Sequence, residues 1–195
     1  MRLAIFGGTF DPIHSAHLAI ARAAAERFRL DRILFVPAGR PPHKAAATHA
    51  PYGARVRMAE LACGEEPRFE VSRLEEGAPR SYSIDTIEKV RESLGRSDEF
   101  FFLIGADAFA EIRTWRRWQD VARAVTFLVV SRPGHVYETP PGARLARLDT
   151  LQLRTSSSAI RAALAAGRRP AGVPERVLDY IYEHALYGAG RPVVR

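Results

Sequence analysis

The chain of 195 residues contains a single cysteine, Cys63, and only two lysines, Lys44 and Lys89, against 27 arginines. One cysteine excludes an internal disulfide and any multi-cysteine zinc site. It stands in the apolar pattern "MAELAC", so a packing role is expected for it. No apolar run approaches the roughly 20 residues that span a bilayer. The N-terminus runs from one arginine directly into strand-like sequence, without the features of a secretory leader. A cytoplasmic protein with no membrane partner is therefore expected. Internal repeats and low-complexity stretches are also missing. What is present is ordinary for a globular protein, with 47% hydrophobic and 26% charged residues. The length suits one domain, 1–195, with a sizeable core.

The formal net charge of +7 fits anionic partners such as phosphorylated metabolites. The arginines are spread along the chain, not gathered into one basic run with interleaved aromatics, so no nucleic-acid partner is expected. Because arginine is the default cation here, a lysine at a special place carries more information than usual.

Strand-like and helix-like stretches alternate. "RLAIF" (2–6), "RILFVPA" (32–38), "RFEVSR" (68–73), "EFFFLIGAD" (99–107) and "AVTFLVVSRPG" (124–134) read as strands. Helical periodicity marks 16–28, 51–63, 81–94, 156–167 and 174–188, the last two forming a helical C-terminal part at about 156–188. Short apolar strands separated by helices predict an α/β fold: a doubly wound, Rossmann-like parallel sheet with helices on both faces. Ligands of such folds bind beyond the carboxyl ends of the strands. That singles out 7–17, 39–44, 105–115 and 131–135.

The richest of these is "GGTFDPIHSAH", residues 7–17. Gly7 and Gly8 allow close approach to the main chain, Thr9 adds a hydroxyl, and a helix N-terminus follows, where phosphate binds readily. His14 and His17, three apart, share one face of the first turn and offer donors to phosphate oxygens. The stretch is neither G-x-G-x-x-G nor a P-loop, which argues against dinucleotide-fold oxidoreductases and P-loop proteins. A metal pair is the rival reading of the two histidines, but no third ligand stands at a telling spacing. Two unconnected surface histidines is the plainer one.

"GGTFDPIHSAHL", "VPAGRPPHK", "SYSIDT", "GAD" followed by Trp115, "SRPG", "SSSAIR" and "VPERVLDYIYEHALY" occur in that order between residues 7 and 187. Together they resemble the nucleotidylyltransferase superfamily, and within it the bacterial nicotinate-nucleotide adenylyltransferases. Two positions depart from the pattern: Ala16 stands where the superfamily has glycine, and "TSSSAIR" has Thr155 for an aliphatic residue and Ser158 for threonine.

The resemblance implies adenylyl transfer from ATP, with Mg²⁺, to nicotinate mononucleotide. It implies that Gly7, Gly8, Thr9, Phe10, His14, His17 and Asp107 bind ATP, with Ser157, Ser158 and Arg161 on its outer phosphates. It makes His14, His17 and Lys44 catalytic through the phosphates, with no protein-held metal. Ser83, Thr86, Trp115 and Arg132 are then expected around the mononucleotide, Trp115 stacking on its ring, while Asp85 caps a helix and Trp118 belongs to the core. Alternative acceptors are nicotinamide mononucleotide and phosphopantetheine. A tRNA-charging module is the remote rival, lacking both a Lys-Met-Ser-Lys-Ser type loop and an anticodon-binding domain. Oligomeric state is left open.

Overall fold

The computed structural model describes residues 1–40, 48–131, 137–149 and 155–190. Its strands are β1 (Arg2–Gly8), β2 (Arg32–Pro37), β3 (Phe69–Val71), β4 (Glu99–Gly105), β5 (Thr126–Ser131) and β6 (Arg144–Asp149). Its helices are α1 (Ser15–Arg27), α2 (Tyr52–Cys63), α3 (Ser83–Glu92), α4 (Ala106–Ala110), α5 (Trp118–Ala124), α6 (Ser157–Ala165) and α7 (Glu175–Glu183). Short 3₁₀ turns cover Ile112–Thr114 and Leu186–Gly188.

The strands form one sheet in the order β3-β2-β1-β4-β5-β6, and every pairing is parallel. The chain therefore winds outward from β1 through β2 to β3, then returns to the other side of β1. Strand order reverses between β1 and β4, which is where a doubly wound sheet opens its ligand crevice.

The apolar runs become central strands because both sheet faces are covered. Alternate residues feed two cores. Ala4, Phe6, Ile33, Phe35, Phe101, Leu103 and Leu128 face one core, shared with α1, α2, α6 and α7. Leu3, Ile5, Leu34, Val36, Phe100, Phe102, Ile104 and Phe127 face the other, shared with α3, α4 and α5. Cys63 packs in the first core, 2% exposed, where burial pushes its thiol up to about 12.

Helix α5 went unread, and three further elements differ from the sequence reading. The strand expected to run to Asp107 stops at Gly105, and Ala106 opens α4, so Asp107 sits in a helix's first turn. Pro51 is the N-cap of α2 instead of its first residue. The strand β6 went unread. Its sequence "RLARLD" is half charged, as suits an edge strand with one side toward solvent.

Candidate active site

At the carboxyl end of the sheet β1 and β4 part company. Their pairing ends at Phe6 and Leu103, whereas Gly7 and Gly8 go on pairing with Val36 and Pro37 of β2. On the other side, β4 pairs with β5 as far as Gly105. The gap opens into a cavity of about 310 Å³ lined by Phe6 to Thr9, Leu103 to Gly105, Glu75, Ser81 to Ser83, Trp115 and Arg116 among others. Gly7, Gly8, Thr9, Ser83 and Trp115 thus meet in one place, as expected. Trp115 is half-buried, its ring in T-shaped contact with Phe102 at 5.9 Å.

Neither Gly7 nor Gly8 has a left-handed backbone, and Gly8 is the one needed for its size. The left-handed residue of the turn is Phe10, at φ 49°. Its ring is buried against Phe6, Phe35 and His17, and a Cβ on Gly8 would lie 2.9 Å from it. Gly8 therefore keeps room for Phe10, which in turn backs the His17 imidazole.

His14 and His17 stack at 3.8 Å between centroids. The His14 N–H donates to His17 Nδ1 at 3.2 Å. A neutral imidazole accepting at Nδ1 carries its proton on Nε2, so His17 is set up as an Nε2–H donor. Burial lowers His14 to about 4 and His17 to about 3, with the neighbouring His14 ring a second cause for His17. Both rings are therefore neutral at physiological pH in the absence of ligand. The His14 Nδ1 is buried without a hydrogen-bond partner.

The N-terminus of α1 is less open than the sequence suggested. Ser15 N–H donates to Gly172 O and His17 N–H to His14 O. The imidazoles add donors of their own for an anion. The N-terminus of α6 is brought alongside: Ser157 Oγ donates to Pro12 O at 2.9 Å and Arg161 Nη1 to Asp11 O at 2.7 Å, while Arg161 Nη2 reaches Ser158 Oγ at 3.3 Å. The Ser157 hydroxyl proton is thus already committed. What Ser157 retains for a phosphate is its backbone N–H at the first position of α6. Arg161 has donors to spare.

The remaining expected residues are distributed as follows. Asp107 is exposed just beyond β4 and is not among the residues lining the 310 Å³ cavity. Thr86 is buried and gives its hydroxyl to Glu75 Oε1 at 2.8 Å. It lines a neighbouring surface cavity of about 600 Å³, not the crevice, and orients Glu75 rather than facing the crevice itself. Asp85 lies in the first turn of α3 and pairs with Arg116 at 3.8 Å. Trp118 packs against the second core. Lys44 and Arg132 lie outside the described residues. Ala16 is buried, so its methyl fills packing space behind the turn. Among the described residues no group of three or more His, Cys, Asp or Glu could hold a metal ion.

The cytidylyltransferase-like family matches residues 5–163. A relative from Solibacter usitatus, named "probable nicotinate-nucleotide adenylyltransferase", is 68% identical over 96% of this chain and all of its own length. One from Thermus thermophilus, of the same name, is 44% identical over the same shares. The chain belongs to the nicotinate-nucleotide adenylyltransferases of the cytidylyltransferase-like family. The fold agrees: the nicotinic acid mononucleotide adenylyltransferase of Plasmodium falciparum, solved in complex with NaAD, superposes with a TM-score of 0.79 at 18% identity, covering 97% of this chain and 98% of that one. None of the described helices is long and apolar enough to cross a membrane.

Within this adenylyltransferase the structure adds residues that the sequence reading passed over. Glu75 borders the crevice and accepts from Gly39 N–H at 3.1 Å as well as from Thr86. Asp11, inside the quoted motif, and Arg55, one arginine among many on an unremarkable helix, turn out to be buried beneath the turn that leads from β1 into α1. A charged residue on the core side of α2 was the available signal for Arg55.

Proposed function

We infer that this nucleotidyltransferase catalyses adenylyl transfer from ATP to nicotinate mononucleotide, giving nicotinate adenine dinucleotide and pyrophosphate, as a cytoplasmic enzyme of NAD biosynthesis. The observation that carries the reading is the meeting, at the β1–β4 switch point, of a paired-imidazole phosphate turn with a crevice walled by Trp115. The turn suits a triphosphate and the crevice suits a flat pyridine ring.

In this reading the acceptor's 5′-phosphate oxygen attacks the α-phosphorus of ATP. A bond from that oxygen to phosphorus forms, the bond to the bridging oxygen of the β-phosphate breaks, and pyrophosphate leaves. The attacking phosphate is largely ionised near neutrality, its second pKa being about 6, so no general base is needed. Neutral histidines accord with that, since a residue held at about 3 or 4 serves as an N–H donor and not as a proton acceptor poised near pH 7. The chain's task is to bring two polyanions into line and to place donors where charge moves. His17, proton on Nε2, is assigned to the α-phosphate, and His14 beside it. Gly7, Gly8, Thr9 and Phe10 form the floor of the site, and Asp107 is assigned to the ribose. The α6 N-terminus, with Ser157, Ser158 and Arg161, is assigned to the outer phosphates. Ser83 and Trp115 are assigned to the pyridine ring. Lys44, for the triphosphate, and Arg132, for the mononucleotide phosphate, rest on the family resemblance alone. Thr86 acts through Glu75.

Mg²⁺ enters this account as part of the substrate. The ion rides on the triphosphate, as is usual for magnesium at nucleotide sites.

The test is pyrophosphate release from Mg·ATP with nicotinate mononucleotide, nicotinamide mononucleotide and phosphopantetheine in parallel. The highest kcat/KM is expected with nicotinate mononucleotide. A higher value with either competitor refutes the acceptor assignment.

A further inference from the structure

Beneath the phosphate turn lies a set of buried polar groups that the reaction does not touch. The Asp11 carboxylate is 4% exposed. Its Oδ2 accepts from His49 N–H at 2.7 Å, and its Oδ1 accepts from Ala50 N–H at 3.1 Å and from the Tyr187 hydroxyl at 2.7 Å. Arg55 is fully buried. Its Nη1 donates to Thr9 O at 2.7 Å and its Nε to Ala50 O at 3.2 Å, while Nη2 has no partner.

These bonds share a direction. Thr9 and Asp11 belong to the phosphate turn, Ala50 to the segment entering α2, and Tyr187 to the 3₁₀ turn after α7. A buried guanidinium with one nitrogen unpaired is costly, and a buried ion is a poor way to gain stability alone. What this one does is hold two backbone carbonyls from separate segments at fixed distances. The carboxylate does the same for two N–H groups and a hydroxyl. The turn is thereby fixed from behind, on its carbonyl side. Tyr187 is noteworthy for its position: it lies beyond the stretch of 5–163 that matches the family, and it holds a left-handed backbone at φ 58°, a conformation that costs energy in a residue with a side chain.

We propose that Asp11, Arg55 and Tyr187 form a buried brace that positions the phosphate turn for adenylyl transfer, with Tyr187 bringing the C-terminal part of the chain into the site's geometry. All three are positioning residues, acting through the turn and touching no substrate. The proposal rests on the ATP-binding part of the function inferred above, and not on the identity of the acceptor.

Tyr187→Phe removes one hydroxyl and nothing else. We measure the affinity of the variant for α,β-methylene-ATP with Mg²⁺ by calorimetry at a temperature well below unfolding. The companion measurements are kcat, the KM for nicotinate mononucleotide, and Tm. Loss of one hydrogen bond to a carboxylate predicts about tenfold weaker analogue binding, about tenfold lower kcat, and a KM for the mononucleotide within about twofold of wild type. Arg55→Lys, which keeps the charge but cannot span Thr9 O and Ala50 O, should behave alike or worse. Should that variant fail to fold, Tyr187→Phe alone decides. Analogue affinity and kcat both within about twofold of wild type, with only Tm lowered, overturn the proposal and leave the network a structural one. A wild-type chain that binds the analogue but is inactive with nicotinate mononucleotide refutes the acceptor, while the brace is still judged by analogue affinity. A wild-type chain that binds no analogue sinks both.

Discussion

Acidification from pH 8 to pH 5 should destabilise the ligand-free chain through the two histidines of the phosphate turn. Folding holds His14 at about 4 and His17 at about 3, against an ordinary value of 6.5. The cause is burial, which penalises the charged ring. At pH 5 the unfolded chain binds a proton at each ring and the folded chain does not, so protons favour unfolding. The stability these rings retain is intact above 6.5 and is lost as pH falls from there toward their folded values. At pH 5 the distance from 6.5 is worth about 2 kcal/mol per ring, about 4 kcal/mol for both. That figure does not depend on how far below 5 the folded values lie. Against a typical total of roughly 5–15 kcal/mol it is large.

Urea unfolding at pH 8 and pH 5, run on wild type and on a His14→Asn, His17→Asn double variant, isolates the effect. An asparagine oxygen can accept where an imidazole nitrogen did, and the variant cannot titrate. Carboxylates titrate in both proteins and cancel. Wild type should lose about 4 kcal/mol more than the variant between the two pH values. Equal losses would show that the rings are charged or solvated in the folded chain, and the tautomer argument for His17 would go with them.

Four further outcomes are expected. His17→Ala should lower kcat by about 10²–10³, as loss of a preorganised donor does, with the fold intact and urea stability at pH 8 lowered by about 1–3 kcal/mol for the lost packing and acceptor; activity near wild type removes His17 from the phosphate. Gly8→Ala should cost about 1–3 kcal/mol, because the Phe10 ring 2.9 Å away is itself wedged. Gly7→Ala, whose Cβ would meet Phe102 at an ordinary 3.7 Å, should leave stability within about 0.5 kcal/mol, and the reverse order in urea melts refutes the packing account. Trp115→Ala should raise the KM for nicotinate mononucleotide about tenfold or more with a smaller effect on ATP, given the stacking energy of aromatic rings; an unchanged KM returns the indole to the core. Cys63, buried and pushed up to about 12, should react with a thiol reagent only as fast as the chain opens, so rapid labelling in native buffer contradicts its packing.

Much of this architecture was legible because it is written in local patterns. Continuous apolar runs such as "AIF" and "FFFLI" specify strands covered on both faces, and the switch point follows from their alternation with helices. The strand β6 was illegible because Arg144 and Arg147 interrupt its alternation and nothing beyond it needs covering. The meeting of Gly7 to Thr9 with Trp115 at one crevice followed from strand-end positions, whereas Ser83 was reached only through the family resemblance. Thr86 shares a helical face with Ser83, three residues before it, but it is buried and its hydroxyl turns inward to Glu75. That the Ser157 hydroxyl is bound to Pro12 O could not be read locally either, because the two are 145 positions apart. The brace was beyond reach for the same reason. Asp11 and Tyr187 are 176 positions apart, and no periodicity connects them.

The neutrality of the histidines also bears on selectivity. Two imidazolium rings stacked at 3.8 Å would repel each other in a desolvated site, so the empty turn stores no charge there. It presents N–H donors whose hydrogen bonds are strengthened by the low local dielectric. A single weak anion gains little from such donors, since it must give up its own hydration to reach them. A triphosphate brings several charges at once. Several hydrogen bonds formed together offset a desolvation cost that one bond leaves unmet.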